Sequence, residues 1–563
     1  MIRKTLALTL SSTIILSGCN SITGNPPGNG SANTTPTPTV TPTSASAAIK
    51  HVVVIFGENV SFDHYFATYP VAANPPGETA FTAATGTPVP AGLTTALLTN
   101  NPNRSNSANG AGAANPYRLD PAQAATADQD HDYNDEQKAF DNGKMDLFPL
   151  SVGSGDSAAF ATFNTGNGAS PTSLTTGLTM GYYDGNSVTA IWNYAQHYAL
   201  NDHSFDTTFG PSTPGAINLV SGQTNGIIPD DNSSAGAIVA DGNGGLTLVS
   251  DEDPSGDLCS SGTGTVHFSS KNINIGTLLN KANITWGFFE GGFDLSVTNA
   301  NGTTGCHRTS KGVAPLQLKN DYIPHHEPFQ YYASTANLNH LRPTSVAAIG
   351  TTDQANHQYD MHDFTDALAA GNMPAVSFLK APGYQDAHAS YSSPLDEQTF
   401  LVNTINAIEK SSFWSSTAII LAYDDSDGWY DHLSNVINGS TGPQDFLTST
   451  GVCLSTSAAA NALADVATGK PALGRCGYGP RLPLVVISPW AKKNIVDTTV
   501  TDQTSITKFI EDVFLSSQRI GQGSFDSIAG SLNKMFDFSN AAAPPNPNVV
   551  LLDPTTGKVT SGN

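Results

Sequence analysis

The sequence has few charged residues, and positive charge is especially scarce. Lys, Arg, Asp and Glu together make up 13% of the 563 residues, and 24 basic residues stand against 47 acidic ones, so the formal net charge is −23. Nucleic acids and anionic lipids attract proteins through clustered positive charge, so this excess of acid argues against nucleic acid as a partner and against broad electrostatic adhesion to anionic lipid. The low charge, with 52 Gly and 35 Pro, is typical of a secreted, loop-rich protein.

Long apolar segments are also missing, except at the amino terminus. Arg3 and Lys4 precede an apolar run from Leu6 to Leu16, the pattern of a signal peptide. The run ends in Leu16-Ser17-Gly18-Cys19, which resembles a bacterial lipobox and predicts a lipoprotein signal peptide over 1–19 with a lipid anchor at Cys19. An ordinary signal peptide with a chance cysteine is the alternative. No other apolar stretch is long enough to cross a bilayer. We therefore expect an exported lipoprotein of the bacterial cell envelope, in the outer membrane or periplasm or released from it.

Cysteine is scarce, and no cysteine has the spacing of a metal site. Four remain without Cys19, and an even number in an exported chain indicates two disulfides. Three pairings are possible, and we favour the two that are local in sequence, Cys259–Cys306 and Cys453–Cys476. The chain also lacks a GxSxG elbow, which argues against an α/β-hydrolase, and an HExxH motif, which argues against that kind of zinc site.

The chain divides into segments of different composition. Residues 20–48 are rich in Thr, Pro, Ser and Gly and contain too little apolar surface for a core, so a disordered tether is predicted there. Residues 49–540 form the predicted catalytic domain, with long loop insertions such as the one over 71–127. Residues 541–563 are rich in Pro and Asn and are predicted to be a loose tail.

Short β-branched apolar runs alternate with helical patterns through the predicted domain. This alternation predicts an α/β fold with a mostly parallel central sheet sandwiched by helices. Strands are predicted at Val52–Ile55, Ile284–Phe289, Ala375–Leu379, Ala418–Ala422 and Leu484–Ile487, and helices at Glu136–Phe140, Ala190–Tyr198, Ile275–Lys281, Glu397–Lys410 and Ser505–Phe514.

Two of these strands run directly into acidic or amide side chains. The first leads to Glu58-Asn59 and the other, at Ala418–Ala422, leads to Asp424-Asp425. Parallel strands of one sheet deliver their carboxyl ends to one edge, so the four side chains can meet there. Three carboxylates in one cleft would repel one another without a cation, and this oxygen set suits one divalent ion such as calcium, magnesium or manganese. Ordinary polar turns are the alternative.

A serine and several histidines are the other candidates for chemistry. Ser212 lies in Gly210-Pro211-Ser212-Thr213-Pro214, where Gly and Pro force a defined turn. An inert loop serine is the alternative, but a serine beside a metal has a lowered hydroxyl pKa and can act as a nucleophile. Histidines can donate to phosphate oxygens or protonate a leaving alkoxide, and a zinc site is the competing interpretation for them. The candidates stand beside acids or other histidines: His131, His325, His326 and His388.

These motifs together resemble the bacterial phospholipase C/acid phosphatase family of phosphoesterases. The residues that carry the resemblance are GENVSFDHYF over 57–66, YDDSDGWYDH over 423–432 and the Gly-Pro-Ser-Thr-Pro turn, and the resemblance extends over about 49–538. It implies an alkaline-phosphatase-like α/β fold. It also implies a nucleophile at Ser212, phosphate-contacting histidines at His131, His325, His326 and His388, and metal ligands at Glu58, Asn59, Asp424 and Asp425.

The chain departs from the pattern of many phospholipase members at several points. It has Gly215-Ala216 where many have Asn-Arg, Asp424-Asp425 where many have Asp-Glu, and little sequence after the closing helix. These departures favour the acid-phosphatase-like branch. The predicted function is therefore metal-dependent hydrolysis of phosphoric esters through a phosphoserine intermediate. A phospholipase C is the alternative, and a non-catalytic surface-binding lipoprotein is the remote one.

Overall fold

Eight strands form the central sheet of the computed structural model. The structure describes residues 44–157, 160, 171–240, 246–314, 317–434 and 477–561, and Thr41–Asn563 belong to one structural unit. In chain order the strands are β1 His51–Gly57, β2 Ala199–Asn201, β3 Trp286–Glu290, β4 Gln358–Asp360, β5 Val376–Lys380, β6 Thr417–Tyr423, β7 Leu484–Ile487 and β8 Ile495–Asp497.

The sheet order is β4-β3-β5-β1-β6-β7-β2-β8. β1 lies in the middle, parallel to β5 on one side and to β6 on the other, and β7 is antiparallel to both of its neighbours. The residues of β1 from Val52 to Phe56 are at most 2% exposed. A strand buried on both faces needs a continuous apolar sequence, and the sequence supplies one. The predicted mostly parallel α/β sheet is confirmed.

Helices cover the sheet. The main ones are α1 Phe62–Phe66, α2 Tyr133–Phe140, α3 Thr189–His197, α4 Ser212–Ser221, α5 Ile275–Lys281, α6 Met361–Ala369, α7 Pro394–Glu409 and α8 Gln503–Phe514. Shorter helical segments occupy Ala45–Ala48, Thr95–Thr99, Pro102–Ser105 and Phe148–Ser151. Within the described part of the chain, five two-stranded ribbons lie outside the main sheet, among them Leu551–Leu552 paired with Val559–Ser561. None of the described helices is both long and apolar enough to cross a membrane.

The carboxyl-terminal segment differs from the loose tail that its composition predicts. Val550 and Leu552 are buried, and the side chain of Asn406 on α7 donates to the Leu552 carbonyl and accepts from its N–H. The Pro- and Asn-rich composition conceals the short apolar run 549–552, and this run docks on α7.

One of the two predicted disulfides lies within the described residues. Cys259 and Cys306 are bonded, with their Cα atoms 5.2 Å apart. The predicted Cys453–Cys476 pair, the signal peptide, Cys19 and most of the predicted tether lie outside the described residues, so these features stay predictions.

Glu397 is a buried carboxyl that should make stability depend on pH. It lies on α7 and accepts hydrogen bonds from the hydroxyls of Tyr65 and Tyr423, which tie α1 and β6 to α7. Burial raises its pKa from 4.5 to about 7. As pH rises above 4.5 the unfolded chain loses this proton first, so the free energy of unfolding falls until the pH passes about 7.

Between pH 4.5 and pH 7.5, we expect the free energy of unfolding to fall by about 3 kcal/mol less in Glu397→Gln than in the wild type. Urea unfolding of both proteins at the two pH values measures the difference, and comparing the variant with the wild type cancels the other titrating groups. Parallel pH profiles for the two proteins would contradict the assignment.

Candidate active site

The ends of β1 and β6 meet at the centre of the sheet. Gly57 at the end of β1 pairs with Tyr423 at the end of β6, so Glu58-Asn59 and Asp424-Asp425 follow side by side. The backbone N–H of Asn59 donates to Asp424 Oδ1 at 2.9 Å. All four side chains are at most 1% exposed. The structure thus brings the four predicted ligands together, and their role as ligands stays a prediction.

Ser212 lies at the first position of α4 and points its hydroxyl at these side chains. The Oγ atom is 2.9 Å from Glu58 Oε2, 3.1 Å from Asp425 Oδ2 and 3.4 Å from Asn59 Oδ1. Gly215 permits this approach, because a Cβ there would lie 2.2 Å from the carbonyl oxygen of Asp424. The start of a helix also supplies free N–H groups and a positive dipole end, which favour a bound phosphoryl group.

The turn that follows β6 contains a residue that the sequence analysis missed. Asp427 Oδ1 accepts a hydrogen bond from the side-chain amide of Asn59 at 3.1 Å and lies 3.8 Å from His131 Nδ1. Asn59 and Asp427 both have left-handed backbone conformations, with φ of 59° and 53°. Non-glycine residues adopt this conformation at some cost, and such strain concentrates at functional sites. Asp427 belongs to the same YDDSDG motif, so its spacing of two after Asp425 was a usable signal.

Lys380 is the second residue that the sequence analysis missed. It ends β5, the strand beside β1, and its ammonium group contacts Glu58 Oε1 and lies 3.9 Å from Asp424 Oδ2. The side chain is 1% exposed, and burial lowers its pKa. The predicted strand Ala375–Leu379 stopped one residue short, although a charged residue at the carboxyl end of a central strand lies at the edge where ligands bind.

The oxygen cluster suits a cation better than it suits the hydroxyl alone. The single proton of Ser212 faces three acceptors, and Asp424 Oδ2 has no hydrogen-bond partner among the described residues although it is buried. Burial and the neighbouring Asp424 charge raise the pKa of Asp425 well above its ordinary value. A divalent ion would neutralise the carboxylates and pair with Asp424 Oδ2, which lies 3.9 Å from the Lys380 ammonium, so the residues present fit the predicted metal.

Two of the four predicted histidines lie together on the other side of Asn59. The side-chain Nδ2 of Asn59 is 3.3 Å from His131 Nε2, and the rings of His131 and His388 are 6.1 Å apart. Each ring holds a backbone carbonyl at Nδ1, Gln129 for His131 and Ala389 for His388. Ligand atoms of His131, His388 and Asp427 all lie within 4.8 Å of one another. Such a set can hold phosphoryl oxygens, or the metal ion of the competing zinc interpretation.

The other two histidines are adjacent in sequence but occupy different places. His326 is 2% exposed, and its Nε2 lies 3.3 Å from Glu58 Oε2, so it belongs to the cluster. His325 is 21% exposed and contacts Asp253 at 3.4 Å and Asp251 at 4.0 Å. Asp251 in turn accepts from the backbone N–H of Thr213. His325 therefore reaches the Ser212 turn only through Asp251.

The surroundings push the pKa values of the histidines apart. Burial would lower the pKa of His131, but the charges of Asp425, Asp427 and Asp128 raise it well above the ordinary value. Burial lowers the pKa of His388 to about 4 and that of His326 well below its ordinary value. Of these three histidines, His131 is the one whose surroundings favour the protonated ring.

The comparisons with known proteins identify the family of the chain. A family model described as the Phosphoesterase family matches residues 49–515. The chain belongs to the phosphoesterase family. The predicted family is thereby confirmed.

Curated relatives within the phosphoesterase family carry the name phospholipase C. A non-hemolytic phospholipase C of Pseudomonas aeruginosa is 23% identical over 508 residues, which is 89% of this chain and 59% of that protein. The hemolytic phospholipase C of the same organism is 31% identical over 170 residues, 30% of this chain and 21% of that protein. Phospholipase C A of Mycobacterium tuberculosis is 25% identical over 185 residues, 33% of each chain. The chain spans less than two thirds of the length of these relatives.

Two solved structures of hydrolases overlap this member of the phosphoesterase family in part. Murine ectonucleotide pyrophosphatase/phosphodiesterase 5 has 11% identity and a TM-score of 0.28, and covers 62% of this chain and 95% of its own. A phosphonate monoester hydrolase from Silicibacter pomeroyi has 10% identity and a TM-score of 0.25, and covers 58% of this chain and 68% of its own.

The Asp427 contact predicts a pH effect in this phosphoesterase-family chain. In Asp427→Asn one of the negative charges that raise the pKa of His131 is gone, so His131 should lose its proton at lower pH. On the proposal made below that His131 gives a proton to the leaving alcohol and that a metal ion is bound, we expect turnover at pH 8 to fall by about tenfold or more and the alkaline limb of the rate profile to move to lower pH, with the metal content unchanged. Rate profiles and metal analysis of the purified variant measure both. A profile identical to that of the wild type would show that Asp427 does not act through His131.

Proposed function

We propose that the chain hydrolyses phosphoric esters with Ser212 as nucleophile and one divalent metal ion as cofactor. The observation that carries this proposal is the buried cluster around Ser212, whose hydroxyl lies within 3.4 Å of oxygens from Glu58, Asn59 and Asp425. A structural serine needs at most one acceptor for its proton. Membership of the phosphoesterase family supports the same reaction class.

The proposed reaction has two displacements at phosphorus. Ser212 attacks in line as the alkoxide, its hydroxyl proton having passed to solvent, the bond from phosphorus to the alcohol oxygen breaks, and the departing alkoxide takes a proton from His131. Water then attacks the phosphoserine while His131 takes a proton from it, and the bond from phosphorus to the Ser212 oxygen breaks, which releases phosphate and returns the Ser212 alkoxide. His326, whose pKa burial lowers, can donate its single ring N–H to a non-bridging oxygen, where the transition state gathers negative charge. The Nδ1–H of His388 donates to the Ala389 carbonyl, so neutral His388 presents its Nε2 as an acceptor.

Glu58, Asn59, Asp424 and Asp425 would hold the metal ion together with the Ser212 oxygen. When bound, a divalent ion at these oxygens lowers the pKa of the serine hydroxyl and neutralises the phosphoryl charge. Lys380 keeps Glu58 and Asp424 in place through its contacts with both. The identity of the ion follows from metal analysis, with calcium, magnesium and manganese as the candidates for an all-oxygen set.

The substrate class is a choice between phosphate monoesters and phospholipids. The relatives named phospholipase C favour a phosphodiester lipid, whereas Gly215 and Asp425 follow the acid-phosphatase-like pattern. We infer a phosphate monoesterase, with phospholipase C activity as the second candidate. A surface-binding lipoprotein without catalysis is the third. Nucleic acid is not among the proposed partners.

A substrate panel with and without a chelator tests the proposal. We expect the purified chain to hydrolyse 4-nitrophenyl phosphate faster than phosphatidylcholine, to stop in EDTA and to recover with added metal. Faster hydrolysis of phosphatidylcholine would assign the phospholipase. The metal-dependent proposal fails if activity persists in EDTA after metal analysis shows the ion is gone. A protein that binds no metal and hydrolyses neither ester would support the binding lipoprotein.

We also propose that the chain is exported and anchored to the envelope through a lipid on Cys19. The charged start, the apolar run and the small residues before Cys19 support this. Mass spectrometry of the mature amino terminus, compared with a Cys19→Ser variant, separates a lipidated cysteine from ordinary signal-peptide cleavage.

A further inference from the structure

A cavity of about 390 Å³ lies beside the loop that holds His388. Its walls include Lys311, Val313, Gln317, Leu318 and Tyr391. The backbone N–H of Gln317 donates to the carbonyl of Ser390 at 3.0 Å, which fixes this wall to the His388 loop. The volume falls within the range of small-molecule sites in proteins.

Tyr391 joins the cavity to the active site. Its ring stacks on that of His388, with centroids 4.3 Å apart and planes at 25°, and it also lines the cavity. The rings of His388 and His131 are 6.1 Å apart. The cavity therefore lies one side chain away from His388, which in turn lies beside His131, the proposed proton donor to the leaving alcohol.

The charge at this cavity is opposite to that of the chain as a whole. Lys311 lines the cavity, and the ammonium group of Lys319 lies 5.0 Å from the centre of the Tyr391 ring. The acid behind Gly312 is Asp396, and its carboxylate is already engaged by the N–H of Val313 and the hydroxyl of Ser393. In a chain with 24 basic and 47 acidic residues, one lysine in the cavity wall and a second beside its Tyr391 ring favour an anionic ligand.

The cavity also has an apolar component. Val313 and Leu318 line it and are 70% and 56% exposed, so they offer uncovered apolar surface next to the lysines. A ligand with a carbon skeleton and an anionic group satisfies both halves of this lining.

We propose that this cavity binds the alcohol part of the substrate and selects alcohols that carry a second anionic group, such as a carboxylate or a phosphate. This inference rests on the proposed function, because it concerns the leaving group of the same reaction. Lys311 and Lys319 attract the second anion, while Val313, Leu318 and the Tyr391 ring contact the carbon skeleton.

A matched pair of esters tests the inference. Phenyl phosphate and 4-carboxyphenyl phosphate differ only in the carboxylate on the leaving group. We expect the double variant Lys311→Ala/Lys319→Ala to raise KM for 4-carboxyphenyl phosphate by about three- to tenfold and to leave KM for phenyl phosphate within about twofold. The wild-type preference should shrink at high salt, since exposed charges are screened.

Two control variants accompany this test. Lys410→Ala removes an exposed lysine at the carboxyl end of α7, before the start of β6 and so at the opposite edge of the sheet, and should change neither KM. Lys311→Arg/Lys319→Arg keeps both charges and should keep the preference. Equal changes for the two esters, or no change for either in a folded double variant, would overturn the inference while leaving the proposed function standing. A wild-type protein that hydrolyses neither ester would overturn both this inference and the proposed function.

Discussion

Ser212→Ala is expected to reduce turnover of phosphate esters by at least about a thousandfold. The hydroxyl is the group that forms the covalent bond to phosphorus, and no other described hydroxyl occupies its position between Glu58, Asn59 and Asp425. The substitution removes one buried oxygen from a site that is 2% exposed, so the fold should persist. Steady-state rates with 4-nitrophenyl phosphate measure the effect.

The matched control is Ser221→Ala, at the other end of the same helix. Ser221 is also buried, and its hydroxyl lies within hydrogen-bond distance of the backbone carbonyls of Ile217 and Gln223. The Ser221→Ala variant should retain turnover within a few fold of the wild-type value. Metal content separates the possible causes of a loss, because Ser212→Ala should still bind the ion through the carboxylates. Wild-type turnover in a folded, metal-loaded Ser212→Ala protein would contradict the assignment of Ser212 as the nucleophile.

Asp424→Asn should produce the second large effect, through the metal. Asp424 Oδ1 already accepts the backbone N–H groups of Asn59 and Asp425, and its Oδ2 is buried without a hydrogen-bond partner among the described residues. We expect the variant to lose the ion during purification and to turn over at least about a hundredfold more slowly, since removal of partners one shell further out already costs 10- to 100-fold. Millimolar metal should restore part of the activity.

Removing the metal should also lower stability, and Asp424→Asn should alter that response. A ligand present at about a thousand times its dissociation constant adds about 4 kcal/mol of stability, so EDTA should lower the melting temperature of the wild type. The variant, with little metal to lose, should respond less. Asp497→Asn is the control, because Asp497 ends β8 at the same edge of the sheet. Equal responses of wild type and Asp424→Asn to EDTA would contradict the metal assignment.

The central strands and the meeting of the two acidic pairs could be predicted from the sequence for a clear physical reason. β1 and β6 are buried on both faces and therefore have continuous apolar sequences, and parallel neighbours must end at one edge. The edge-side strands β2, β4 and β8 are only three residues long. Their sequences carry too few apolar positions for a periodic signal.

The missed site residues show a different limit. Lys380 lies in the site because of the order of the strands, and Asp427 lies there because of the backbone conformation of a turn. Only the sheet order shows that β5, which ends in Lys380, is a neighbour of β1. The left-handed conformation of Asp427 turns its carboxylate to Asn59. His325 and His326 show the same limit. Adjacent histidines in one turn point to different partners, which sequence spacing alone does not resolve.

The stereochemical course at phosphorus tests the central claim most directly. The substrate is phenyl phosphate whose phosphorus is made chiral with three oxygen isotopes. The enzyme transfers its phosphoryl group to an acceptor alcohol and releases phenol, and the configuration at phosphorus in the product is determined. Two in-line displacements, first by Ser212 and then by the acceptor, predict net retention of configuration. Net inversion would show a single direct displacement and would contradict a phosphoserine intermediate on Ser212.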